Sequence, residues 1–228
     1  MQRVVSVIKK WWPDFNSTVG FFMLSVFLVW LKTYWAYKTN FSLGVQGTLQ
    51  EFLLFLNPIP TAIILLGIAL YFRGRIAYWL MLLINLVQSI WLFANMLYYR
   101  EFSDFLSLNI MGSGGSVENN LSKSIAGIIH GTDFLVFVDI IVLIVLLLTK
   151  VIKVDKTAVQ KRFAALVTVF GVLLMFVGYG IASKDRSGLL TRTFDNNYIV
   201  KYLGLNEYAA YNIFKTKQTA DVKKEAKA

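Results

Sequence analysis

At 228 residues the chain has room for one or two ordinary domains, yet 57% of it is hydrophobic, 15% aromatic and only 16% charged, with a mean hydropathy of +0.58. Water-soluble domains are about 45 to 50% apolar and about 25% charged, so the composition excludes a soluble fold. No cysteine and a single histidine exclude disulfides, thiolate chemistry and a histidine metal cluster, while the net charge of +10 leaves a nucleic-acid role open until the charges are placed.

Residues 1–14 form a basic cytoplasmic leader with Arg3, Lys9 and Lys10. An uncharged stretch then opens a first span over 15–37, long enough to cross a bilayer as a helix. Lys32 and Lys38 leave no small-residue cleavage site after it, so this is a retained helix and not a signal peptide. The second span, 52–72, carries Asn57, Pro58 and Pro60 near its outer end. Proline removes a backbone donor, so a kink is expected there, with 45–56 lying partly along the interface. Phe72 to Arg75 makes a tight turn into the third span, 76–99.

An outer segment of about 33 residues follows, too long for a plain connection. Its run Met111-Gly112-Ser113-Gly114-Gly115-Ser116 lacks the lysine and hydroxyl residue of a phosphate-binding loop and follows no strand. On either side, 101–110 and 121–129 have helical apolar spacing and are expected as interfacial helices. The fourth span, 133–149, is interrupted only by Asp139, and a basic loop leads to the fifth, 163–183. An aromatic juxtamembrane segment, 184–214, precedes a charged stretch, 215–228, expected as a flexible tether. Its Ala226-Lys227-Ala228 has the A-x-A form a signal peptidase reads. Ala226 and Ala228 are therefore a candidate cleavage site, or else this is a boundary imposed on the chain.

Basic residues gather in cytoplasmic loops. With the N-terminus inside, the inner segments hold ten bases and two acids, and the remainder holds thirteen bases and eleven acids. The fold expected is all-α and integral to the membrane: five transmembrane helices, N-in and C-out, with short outer interfacial helices. Most of the charge is thus an orientation signal, and no nucleic-acid partner is expected.

Ionisable groups inside a span mark function by default. Lys32 and Asp139 both lie roughly 8 to 9 Å below the outer surface at 1.5 Å per residue, so an ion pair between spans one and four is expected. It could fasten the helices, line a cavity for a lipid headgroup, or belong to an ion path. Arg100, Arg192 and Lys201 flank the spans outside and are candidate phosphate contacts for anionic lipid, since arginine fits phosphate through two donors. Glu101, Asp104, Asp133, Asp195, Tyr198 and Tyr202 are candidates for supporting the interfacial segments. No catalytic constellation is visible: His130 lacks a nucleophile, and the threonines lack metal ligands around them.

Four segments, LKTYWAYKTNFSLG (31–44), YYREFSDFL (98–106), DFLVFVDIIV (133–142) and LLTRTFDNNYIVKYLG (189–204), together resemble the membrane domain of the lipoteichoic acid synthase family of Gram-positive bacteria. The resemblance implies a multi-pass protein of the bacterial plasma membrane, with a five-helix domain that anchors a large extracellular domain of the sulfatase and alkaline phosphatase type. That domain would use a threonine nucleophile and manganese to transfer glycerophosphate from phosphatidylglycerol to a growing glycolipid-anchored chain. The nucleophile and the metal ligands would lie beyond Ala228, so no catalytic residue carries over and the chain itself is expected to be non-catalytic. The partners implied are phosphatidylglycerol, the chain's own extracellular catalytic domain and other cell-wall assembly proteins. The polymerase and a primase relative both fit. The alternatives are a stand-alone scaffold for cell-wall proteins, or a lipid transporter or flippase, which would call for a repeat or paired broken helices.

Overall fold

The computed structural model describes residues 16–107, 127–190 and 195–225, with side chains as far as Lys215 in the last helix. The described residues are helical and include five segments long and apolar enough to cross a membrane.

Helix α1, Thr18–Thr39, begins where the Ser17 hydroxyl accepts a hydrogen bond from the Gly20 amide at 2.9 Å, satisfying one of the free donors of the first turn. The second span is three pieces in series: α2 (Gly47–Leu56), α3 (Pro58–Gly67) and a 3-10 turn (Ile68–Tyr71). Pro58 and Pro60 fall in the first turn of α3, where a helix needs no amide donors, so the break comes at Asn57.

Helix α4, Arg75–Phe102, runs 28 residues and ends as Ser103 turns left-handed (φ 52°). The interfacial helix expected over 101–110 therefore stops at Phe102. The Asp104 carboxylate accepts from the Phe105 amide (2.7 Å) and Asn95 Oδ1 from the Leu106 amide (3.0 Å), in place of continued helical bonds. Residues 108–110, most of the helix expected over 121–129 and the glycine run 111–116 lie outside the described residues. A 3-10 segment (Gly131–Phe137) leads into α5 (Val138–Leu148) as the fourth span, and α6 (Lys161–Asp185) is the fifth.

Two further helices follow, α7 (Asn196–Leu203) and α8 (Leu205–Glu225), joined at Gly204. Helix α8 thus continues through 215–225, expected as a loose tether. Those residues include four lysines and contain neither Gly nor Pro, so nothing in them breaks a helix.

In the bundle, α3 packs between α1 and α6, α1 also lies on α4, and α5 with its 3-10 lead packs on α4 and α1. The α3–α6 crossing is close enough to require Gly171: a Cβ there would come within 2.8 Å of Ile64 Cγ1 and 3.3 Å of the Pro60 carbonyl. Helix α6 is peripheral, with only 11% of its apolar stretch buried. Its Leu166, Phe170, Leu173 and Phe176, like Phe27 on α1 and Trp79 and Leu83 on α4, turn outward. An exposed apolar belt of this extent suits hydrocarbon and not water.

Two clusters make the core. Phe21, Leu66, Leu70, Tyr78, Met81 and Leu143 fill one end. There an antiparallel bridge between Arg73 and Ala158 ties the two loops together, and Asn16 Oδ1 accepts from the Lys153 amide. Tyr37, Phe41, Leu54, Met96, Phe105 and Tyr208 fill the other, where α7 and α8 dock.

Candidate functional site

The most polar point of the interior is built around Lys32. Its Nζ donates to Asp139 Oδ2 at 2.7 Å, to Asn85 Oδ1 and to Ser89 Oγ. Three donors meet three acceptors. Lys32 and Asp139 are each 7% exposed, and Asn85 and Ser89 are fully buried. Ser89 passes the network on, donating to the Val136 carbonyl at 2.9 Å. The 3-10 lead makes this possible: it brings Val136 against α4 and places Asp139 in the first turn of α5, where a helix dipole favours an anion. Asp139 Oδ1 and Asn85 Nδ2 have no partner among the described residues. The arrangement joins spans one, three and four through one ammonium group.

The second constellation lies at the α7 end. Arg100, in the last turn of α4, clamps Asp133 with two parallel bonds of 2.8 Å, and its remaining donors go to Asn40 Oδ1 at 3.1 Å and the Ile128 carbonyl. Asp133 is fully buried and also accepts from the His130 amide at 2.7 Å, closing the start of the 3-10 lead. The guanidinium thus ties the ends of spans one, three and four together.

Around it, α7 and α8 are pinned by single polar contacts in an aromatic setting. Asp195 caps α7, accepting from the Asn197 amide at 2.8 Å. Asp104 accepts from Asn196 Nδ2 at 3.0 Å. Lys201, 4% exposed, donates to the Gly44 carbonyl at 3.0 Å and lies over the Tyr198 ring at 4.5 Å. Burial pulls its ammonium below the usual lysine value. The Tyr202 hydroxyl donates to Asp185 and accepts from Gln50 Nε2, and burial beside that carboxylate pushes it up to about 12. Tyr37 accepts from the Leu205 amide at 2.8 Å, and Tyr208 donates to the Phe105 carbonyl at 3.1 Å.

The candidates sort accordingly. Lys32 meets Asp139, Arg100 meets Asp133, and Lys201 meets Tyr198 and Tyr202. Asp104 and Asp195 hold α7, and Glu101 is exposed. Arg100 and Lys201, expected to reach for phosphate, direct their donors into the protein. Arg192, Ala226 and Ala228 lie outside the described residues. Sequence reasoning missed Asn85 and Ser89, although two polar residues four apart on an apolar span would lie on one helix face. Asn57 was singled out only for the kink, and its contact with α7, in which Nδ2 donates to the Lys201 carbonyl at 3.1 Å, has no signal in the spacing. Among the described residues no group of three His, Cys, Asp or Glu side chains could hold a metal ion.

Comparison with known proteins gives a consistent result. The family described as the lipoteichoic acid synthase N-terminal domain matches residues 1–225. Lipoteichoic acid synthase 1 of Bacillus subtilis is 45% identical over 205 residues, covering 90% of this chain and 32% of the relative. Lipoteichoic acid synthase of Staphylococcus aureus USA300 is 37% identical over 200 residues, covering 88% and 31%. The chain thus spans about a third of the length of these relatives. No solved structure matches.

Proposed function

The chain belongs to the lipoteichoic acid synthase N-terminal domain family, and on that premise we propose that it is the membrane domain of a lipoteichoic acid synthase. It anchors and positions an extracellular glycerophosphotransferase that polymerises glycerophosphate from phosphatidylglycerol. In this reading catalysis belongs to the part of such proteins that this chain does not cover; the chain matches 31 to 32% of their length, which supports it.

The observation that carries the positioning role is the docking of α7 and α8. After leaving span five the chain packs back over the ends of spans one to three through Tyr37, Gly44, Asn57 and Phe105. The start of α8 is therefore held at a fixed point, which supports a positioning role. We place this end outside and the N-terminus inside. The opposite end carries Arg73, Arg75, Lys150, Lys153, Lys156, Lys161 and Arg162 with Asp155 as the acid among them, which is the bias of a cytoplasmic face. In this orientation α7 lies at the outer interface, where Tyr198 and Tyr202 suit the headgroup layer. Arg100 and Lys201 act as framework, while Arg192 is proposed as a contact for anionic lipid.

The absence of cysteine makes the orientation directly testable. In intact cells an impermeant maleimide is expected to label Lys215→Cys, and to label Lys156→Cys only after permeabilisation; the reverse pattern overturns the orientation. For positioning, a full-length synthase carrying Tyr37→Phe with Tyr208→Phe is expected to stay in the membrane yet make altered polymer. Unchanged polymer length and amount would reject that role.

A further inference from the structure

A cavity of about 320 Å³ lies between α3, the later turns of α6 and the α7–α8 corner. Most of its wall is apolar, with Leu174, Met175 and Phe176 from α6. Its polar side chains are Asn57, Thr61, Tyr179, Tyr202, Asn206 and Glu207, of which Asn57 donates to the Lys201 carbonyl and Tyr202 to Asp185. Asn206 Nδ2 lies 3.3 Å from Thr61 Oγ1 and 3.4 Å from Gln88 Oε1. Gln88 is 8% exposed, and its own Nε2 has no partner among the described residues. The wall is therefore backed by a polar network with a donor to spare.

The charge of the lining is more telling. Among the described residues it contains no Lys, Arg or His, and Glu207 is its one carboxylate. Glu207 forms no ion pair among the described residues. Its Oε2 folds back toward Gly204, where a Cβ would come within 2.8 Å of it. Burial pushes this carboxyl up to about 8, which favours the protonated form that can donate. An anionic headgroup would have to shed water here with no cation to meet it. A hydroxyl would find amide, hydroxyl and carboxyl partners.

The cavity also has side access. Phe176 and Tyr179 on its α6 wall are 64% and 41% exposed, and on α8 the face of Asn206 and Ala210 continues to Ile213 and Phe214, which are 49% and 68% exposed. This is part of the apolar belt suited to hydrocarbon. The volume lies in the range of small-ligand sites, mostly apolar with few polar groups.

We propose that the cavity binds an uncharged, hydroxyl-bearing lipid of the diacylglycerol type, its hydroxyl held by Thr61, Asn206 and Glu207 and its chains leaving past Phe176 into the bilayer. This goes beyond the anchoring role and is read on the protein without any polymer. The test places the chain in phosphatidylcholine nanodiscs with a diacylglycerol carrying a diazirine on one acyl chain, followed by irradiation and peptide mapping. Label is expected on 174–179 and on the first turns of α8, displaced by unlabelled dioleoylglycerol and not by an equal amount of phosphatidylglycerol. Asn206→Leu with Thr61→Val is expected to reduce that label roughly fivefold or more, the effect of losing one or two buried hydrogen bonds. Equal displacement by phosphatidylglycerol, or label spread evenly over all lipid-facing helices, would overturn the proposal. The competition is run on the unaltered protein, so it decides even if the double variant fails to fold.

Discussion

Replacing Lys32 or Asp139 alone removes one charge and strands the other about 2.7 Å from where its partner stood. Breaking a buried pair from one side costs about 3 to 5 kcal/mol, whereas replacing both members by apolar residues is often close to neutral. The surroundings refine this estimate. Lys32 also feeds Asn85 Oδ1 and Ser89 Oγ, so a Lys32→Met, Asp139→Leu double variant leaves the Asn85 acceptor unfilled. Ser89 still donates to Val136. One unfilled buried polar group costs about 1 to 3 kcal/mol. The double variant is therefore expected to be less destabilised than either single variant, by about 2 kcal/mol, or roughly thirtyfold in the folding equilibrium. Reversible unfolding of the four proteins in mixed micelles, analysed as a double-mutant cycle, measures the difference. A double variant as unstable as the two single losses added together would refute the idea that these charges exist for each other.

Three further outcomes follow from the α7 end. Arg100→Lys keeps the charge but loses the two-pronged clamp on Asp133, and is expected to cost about 1 to 3 kcal/mol; stability equal to the parent protein would contradict the clamp. Tyr37→Phe strands the buried Leu205 amide, so hydrogen exchange in the first turns of α8 should quicken at least several-fold, while α1 and α4 stay protected. Glu207 is raised from 4.5 to about 8 in the folded protein, so it contributes most below its unfolded value. Stability is expected to fall as pH rises from about 5 through 8, and Glu207→Gln should flatten that slope; a slope unchanged by the substitution would exclude Glu207 as its source.

The spans were legible because hydrocarbon tolerates few charges, and a charge-free stretch of about 20 residues is hard to hide. Asn57 and Pro58 announced the break in span two for a similarly local reason. Lys32 and Asp139 could be matched across 107 positions because depth in a bilayer is countable from helix ends. Asn85 and Ser89 escaped notice because a neutral polar residue barely lowers hydropathy. Arg100 and Asp133 were both singled out, but for separate roles, since nothing in the spacing says that an arginine closing one helix faces an aspartate opening another. The ends of helices were least legible. Ser103 stops α4 with a left-handed turn that composition does not foretell, and α8 runs on through residues whose charge suggested a loose tail.

The joint at Gly204 links two places that are far apart in the chain. Its φ of 103° suits glycine, and a Cβ there would also come within 3.2 Å of Asn57 Cβ, at the break between α2 and α3. With Asn57 holding the Lys201 carbonyl, the hinge of the second span and the corner before α8 form one mechanical coupling. A pull or twist on α8 is delivered to span two at its weakest point, where the proline break has already removed backbone bonds. Span two, already broken at Asn57, therefore shares any load on α8 with spans one and three, which hold it through Tyr37 and Phe105.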